Sequence, residues 1–149
     1  AISYEYDPCD IDKGRELFAK QQGEEYIKHE FEDLDTIQKG FVGYKGRIHI
    51  AFGDPIADQY ETADDLAEAI DRQVYTNYKL FPSNIVACQI LGYSQDLELV
   101  KSQWPDYNWQ DAELRFKDYL NRAPSLHQKV ITEGYAAPVL NYLKIKQGC

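Results

Sequence analysis

Three histidines, three cysteines and 25 carboxylates are the side chains in this 149-residue sequence most able to do chemistry. One pair stands at a spacing that enzymes use. It is His49 and Asp54, within Tyr44-Lys45-Gly46-Arg47-Ile48-His49-Ile50-Ala51-Phe52-Gly53-Asp54-Pro55-Ile56. In a His-x-x-x-x-Asp acyl-transfer site, histidine takes the proton from an attacking hydroxyl. Aspartate orients the imidazole and stabilises its charged form. Both side chains must therefore converge. His49 falls in mid-strand, with Arg47 and Ala51, on the face opposite Ile48, Ile50 and Phe52. Asp54 follows a glycine in turn chemistry. Five residues of strand span roughly 16 Å at ~3.3 Å per residue, so a strand holds the pair apart. The spacing reads as a chance match, and no catalytic residue is assigned.

The remaining reactive groups are more scattered. His29 lies among Glu30, Glu32 and Asp33, without enough ligands on one face for a metal, and His127 reads as a surface residue at a helix start. Cys9, Cys88 and Cys149 are odd in number and widely spaced, which is neither a disulfide framework nor a zinc pattern. Cys88 sits in the apolar run Ile85-Val86-Ala87-Cys88-Gln89-Ile90-Leu91 and reads as a buried, inert thiol. No glycine-rich phosphate loop, nucleophile elbow or Cys-x-x-Cys occurs. The twelve tyrosines read as core or rim residues with wet hydroxyls.

The net charge of −9 argues against nucleic acid and against an anionic leaflet held by charge alone. With 44 % hydrophobic residues the chain is of the globular class and long enough for its own core. Few cysteines point to a reducing, cytoplasmic compartment. No apolar run approaches membrane-spanning length. The sequence opens directly on a strand pattern, which suggests that the start of the protein lies upstream.

The elements follow from periodicity and punctuation. Ile2 to Tyr6 alternates as a half-buried strand and stops at Asp7-Pro8. Asp10 is placed to cap a helix carrying Ile11, Leu17 and Phe18. Phe31, Leu34 and Ile37 give a short helix fading at Gly40 and Gly43, before the strand that contains His49. Thr62-x-x-Asp65 is a capping box opening a helix with Leu66, Ile70, Val74 and Tyr78 in one stripe; the acidic residues off that stripe read as a solvated face. Ser83 is placed to cap a helix from Asn84 to about Leu91, a short helix is allowed around Leu97 to Val100, and Asn108 can cap one running to about Arg122. Ser125-x-x-Gln128 starts another that Gly134 closes, and Pro138 begins a last one. The chain is thus two strands near the front and a long helical remainder. Two strands alone make no stable sheet, so further strands are expected elsewhere.

Several stretches together resemble a family. Ile2-Ser3-Tyr4-Glu5-Tyr6-Asp7-Pro8-Cys9-Asp10, then Gly43 through Ile56, then Glu68-Ala69-Ile70-Asp71-Arg72-Gln73, Asn77-Tyr78-Lys79-Leu80-Phe81-Pro82 and Tyr135-Ala136-Ala137-Pro138-Val139 follow one another as in bacterial glycerolipid acyltransferases of the 1-acylglycerol-3-phosphate type. Residues 92–123 carry little of the likeness. The resemblance implies an α/β fold, the C-terminal part of a mixed-sheet acyltransferase domain. Residues 1–82 would end that domain, and 83–149 would be a helical extension. The family's His-x-x-x-x-Asp and phosphate-binding motifs would lie upstream, so none of their residues is carried over.

The implied parent moves an acyl group from acyl-CoA or acyl carrier protein to a lysophospholipid in phospholipid biosynthesis. It would be cytoplasmic, at the inner face of the membrane. Lysophospholipid, acyl donor and membrane would be met through the missing N-terminal part. This chain would bind no cofactor or metal and would be inactive alone. The rival reading is a non-catalytic, acidic protein-interaction module.

Overall fold

The fold closes around Ile85-Val86-Ala87-Cys88, a run that is apolar on every side. In the computed structural model, which describes residues 1–56, 59–94 and 96–146, all four are buried. They belong to helix α4 (Pro82–Ile90). In chain order the elements are β1 (Ile2–Tyr4), α1 (Asp10–Gln21), α2 (Glu32–Val42), β2 (Ile48–Ile50), α3 (Ala63–Asn77), α4, α5 (Leu97–Lys101), α6 (Trp109–Leu120) and α7 (Ser125–Lys146). Helix α4 is gripped by α5, α6 and α7, and α7 is flanked by α1 and α3. Phe116, Val100, Val139 and Ala136 meet α4 in one core. A helix buried all round needs such a jacket, because none of its faces can be left to water.

Local signals fix several ends. Thr62 accepts from the Asp65 amide and Asp65 reciprocates to the Thr62 amide, a complete capping box. Asn108 accepts from the Asp111 amide at 3.1 Å and starts α6 as its sequence suggests. Pro82 occupies the first turn of α4, where its missing N–H costs nothing.

Other ends differ from the sequence expectation. Cys9, not Asp10, precedes α1; Asp10 is its first residue and is buried. Ser83 does not cap α4. Its hydroxyl donates to the Glu5 carbonyl at 2.6 Å, while Asn84 Oδ1 accepts from the Phe81 amide. Helix α2 runs through Gly40 to Val42. Helix α7 is continuous across both Gly134 and Pro138, where a break and a new helix were expected. Pro138 leaves the Gly134 carbonyl without its helical donor. Burial of Val130, Ile131, Tyr135, Ala136, Val139 and Leu143 on one continuous helix outweighs that loss. Gly148 and Cys149 lie outside the described residues.

The fold is therefore mostly helical, with one two-stranded antiparallel sheet among the described residues. Ile2 pairs with Ile50, Ser3 with His49 and Tyr4 with Ile48. The strands are shorter than their sequence patterns, and no third strand extends the sheet among the described residues.

Candidate functional site

The sheet faces the opposite way from its amphipathic pattern. Alternation puts Ser3, Glu5, Arg47 and His49 on one side, and Ile2, Ile48, Ile50 and Phe52 on the other. The polar side is the buried one. Ser3 Oγ accepts the Lys79 amide at 2.9 Å, and Ser3 is fully buried. Glu5 is buried against Arg47, whose Nε and Nη2 reach the two carboxylate oxygens at 2.9 and 2.7 Å, while the Arg47 amide also donates to Glu5. Burial would raise the Glu5 carboxyl, but the bonds and charge of Arg47 outweigh it and hold the group below its ordinary value. The guanidinium lies 4.4 Å from the Trp104 ring centre, with Phe81 and Tyr107 beside it. Trp104 in turn donates its indole N–H to the Leu80 carbonyl. This clamp fixes the start of β2 on the segment between α3 and α4 and on the turn before α6.

The apolar side is bare. Ile2, Ile48, Ile50 and Phe52 are 53–93 % exposed. The outer edge of β2 is open as well. Ala1 and Ala51 exchange both backbone bonds, and the Glu5 amide donates to the Arg47 carbonyl. By alternation, the amides and carbonyls of Ile48 and Ile50 point away from β1.

Of the reactive pair, only His49 falls on this sheet. His49 is half-buried opposite Ser3, and Asp54 lies beyond the strand with its carbonyl accepting from Gln73 Nε2 at 3.2 Å. No hydrogen bond or ion pair among the described residues joins His49 to Asp54. His29 reaches toward Glu32 and Asp35 at 3.8 Å each. His127 stacks near Phe18, its Nδ1 buried without a partner. Among the described residues no group of three or more His, Cys, Asp and Glu is placed to hold a metal ion. Cys88 is buried and donates weakly to the Ala136 carbonyl, and burial pushes its thiol up to about 12. Cys9 is buried too, with its thiol toward the Thr36 carbonyl.

No protein-family model, curated protein or solved structure matches this chain.

A second polar centre has no counterpart in the sequence reading. The turn Asp7 to Asp10 is clasped by two tyrosines from α6 and α7. Tyr119 donates to the Asp7 carbonyl, and Tyr135 accepts the Asp7 amide, both at 2.7 Å. Tyr135 then donates to Asp10 Oδ2 at 3.2 Å, while Arg122 reaches the other oxygen at 3.5 Å. Burial raises the Asp10 carboxyl despite these partners, and it raises Tyr135 and Tyr119 as well. A cavity of about 250 Å³ adjoins the turn, walled by Tyr4, Leu17, Tyr78, Ile131 and Pro138. The charges on it are already matched, since Lys13 pairs with Asp7 and Arg122 with Asp10. Among the described residues no serine, threonine, cysteine or histidine lines the cavity, and its one lysine, Lys13, is held by Asp7. Chemically this is a clasp between the first strand and the helical body. The sequence offered no signal for it, because Asp10 and Tyr135 stand 125 residues apart.

Proposed function

We propose that this chain is the C-terminal, non-catalytic segment of a glycerolipid acyltransferase. The enzyme would transfer an acyl group from acyl-CoA or acyl carrier protein to a lysophospholipid of the 1-acylglycerol-3-phosphate type. The chemistry would belong to a His-x-x-x-x-Asp unit outside these residues, and the enzyme would work at the cytoplasmic face of a membrane. The family resemblance along residues 2–10, 43–56, 68–73, 77–82 and 135–139 suggests this reading. The observation that carries it is the bare apolar face and open edge of the β1–β2 sheet. A two-stranded ribbon with one apolar face needs further strands or a covering layer to be stable, and exposed apolar patches of this kind mark interfaces. The clamp at Arg47 and the clasp at Asp10 then serve to hold that face at a fixed angle on the helical body. Of the described helices, none is long and apolar enough to cross a membrane.

The test mixes the purified chain with acyl-CoA and 1-acylglycerol-3-phosphate, alone and co-expressed with a His-x-x-x-x-Asp acyltransferase unit. The chain alone turns over nothing. The co-expressed pair associates and is active, and Ile50→Lys with Phe52→Lys separates the two. Turnover by the chain alone that disappears in His49→Ala would overturn the reading. So would co-expression that yields no complex.

A further inference from the structure

The cavity beside the Asp7–Asp10 turn carries polar groups that the clasp does not use. Helix α7 lines it with Val130, Ile131, Gly134 and Pro138, and α1 lines it with Gly14 and Leu17. Gly134 has no side chain, so what it presents there is backbone, and a Cβ built on it meets nothing within 4 Å. Pro138 has no amide hydrogen to give the Gly134 carbonyl. Residues four apart share a helix face, and both of these line the cavity, so the carbonyl between them runs along its wall. Tyr78, the residue that ends α3, lines the same space and is half-buried. Burial raises its phenol, the Asp7 carboxylate adds to the shift, and no hydrogen bond among the described residues offsets it.

We propose that this cavity binds a small uncharged molecule made of one ring and a hydroxyl, a phenol or a cyclic alcohol. Size, charge and hydrogen bonding each narrow the class. The volume of about 250 Å³ is short of the roughly 300–1,000 Å³ of pockets for larger ligands. It exceeds the roughly 150 Å³ that is enough to take up benzene. Charge argues against an ion, because Lys13 already pairs with Asp7 and Arg122 with Asp10. A further ion would bring unmatched charge into a mostly apolar space. Hydrogen bonding asks for a hydroxyl, since the Gly134 carbonyl can only accept and the Tyr78 hydroxyl can give or take. Water fits less well. An ordered water needs roughly two to four polar partners, and Leu17, Val130, Ile131 and Pro138 offer it no side-chain partner. A ring lies against those residues while its hydroxyl meets the carbonyl. This proposal does not depend on the acyltransferase reading.

Titration of the full chain with phenol, followed in proton–nitrogen correlation spectra, tests it. Phenol and cyclohexanol should each shift the amides of Gly14, Tyr78 and Gly134 along saturating curves. Benzene should shift the same amides but bind about three- to tenfold more weakly, the worth of one hydrogen bond. Benzylammonium and benzoate should bind more weakly than phenol. Pro138→Ala supplies the missing amide to the Gly134 carbonyl, and Tyr78→Phe removes the hydroxyl while keeping the ring. One or both should bring the ratio of phenol to benzene affinity toward one, a change that a cavity selecting by shape alone would not show. A ratio unchanged in both variants overturns the proposal. So does equal binding of phenol and benzene by the unaltered chain, or a response confined to exposed residues such as Phe41 and Phe52. Tighter binding of benzylammonium than of phenol would overturn it in favour of a cation.

Discussion

The helical body and the front of this molecule use the same kind of pattern and turn it in opposite directions. In α4, α6 and α7 most of the apolar residues face inward, and Ile85, Phe116 and Val139 are excluded from water, while Ile90, Leu114 and Leu126 stand exposed. In β1, β2 and α2 the apolar residues face outward, and Ser3, Glu5, Thr36 and Gly40 face the body. The body is therefore held by apolar burial, and the front by specific bonds to Lys79, Ser83, Arg47 and the Asp7–Asp10 turn. Burial that a chain satisfies internally makes a core, while apolar surface left outside marks an interface. The front reads as a surface held in readiness, and the body as its support.

The largest effect should separate the two regions outright. Phe116→Ala empties the centre of the core, where the side chain is fully buried against α4 and Tyr135. It should cost about 3–5 kcal/mol, the range for deleting a buried aromatic. Phe52→Ala, an equal deletion on the front, should fall within about 0.5 kcal/mol of zero. Urea unfolding of both variants measures the difference. Similar losses at the two sites would end the comparison, because they would place Phe52 in a core.

A smaller effect should locate where α1 joins the body. A Cβ on Gly14 would lie 2.6 Å from Ile131 Cγ1 and 3.0 Å from its Cδ1. Gly14→Ala gains helix propensity but forces Ile131 or α1 to shift, and overpacking of this kind costs about 1–3 kcal/mol. Gly134→Ala meets nothing within 4 Å and stands exposed in α7. It should stabilise by about 0.5–1 kcal/mol, the helix-interior difference between the two residues. Opposite signs in the thermal midpoints of this pair would confirm that α1 sits on α7 by close approach at one residue.

How far these features could be read from the sequence depended on how local their causes are. Thr62 with Asp65, and Asn108 with the Asp111 amide, act across three residues, so α3 and α6 began where their caps indicated. The break expected at Gly134 and Pro138 was a local signal that tertiary burial overrode. Alternation along residues 2–4 and 48–52 gave two faces correctly but not which one is inside. That choice was made by Lys79 and Ser83, which offer polar partners to β1 from 76 and 78 residues away. The stripe of Phe31, Leu34 and Ile37 was likewise visible as a stripe and silent about its direction. The Asp10 clasp was invisible, because its tyrosines stand 112 and 125 residues from the turn they hold. His49 and Asp54 drew attention by spacing, and it is their neighbours Ile48, Ile50 and Phe52 that carry the proposed function.

The smallest effect is a matter of sign, and it tests how front and body are joined. Two buried carboxylates sit at the junction and respond oppositely to pH. Asp10 is held above the ordinary aspartate value of 3.8, chiefly by burial. As pH rises, the unfolded chain gives up that proton first. The folded chain binds more protons in between, and stability falls across the window from 3.8 up to the raised folded value. The contribution is complete below 3.8 and gone above the folded value. Glu5 is held below 4.5 by Arg47, so its contribution is present above 4.5 and is lost as pH falls through the lowered folded value. Asp10→Asn keeps an acceptor for the Tyr135 hydroxyl and removes the first term alone. Its stability should therefore gain on the wild type as pH rises from the acid side toward neutrality. Glu5→Gln should do the reverse, losing ground to the wild type over its own window. Unfolding midpoints measured across that range decide between two pictures. Profiles that diverge from the wild type in opposite directions mean that the front is bonded to the body through ionised Glu5 and against ionised Asp10. Parallel profiles would mean that neither carboxylate is coupled to folding, and the junction would then rest on the tyrosine hydroxyls and the Arg47–Trp104 stack.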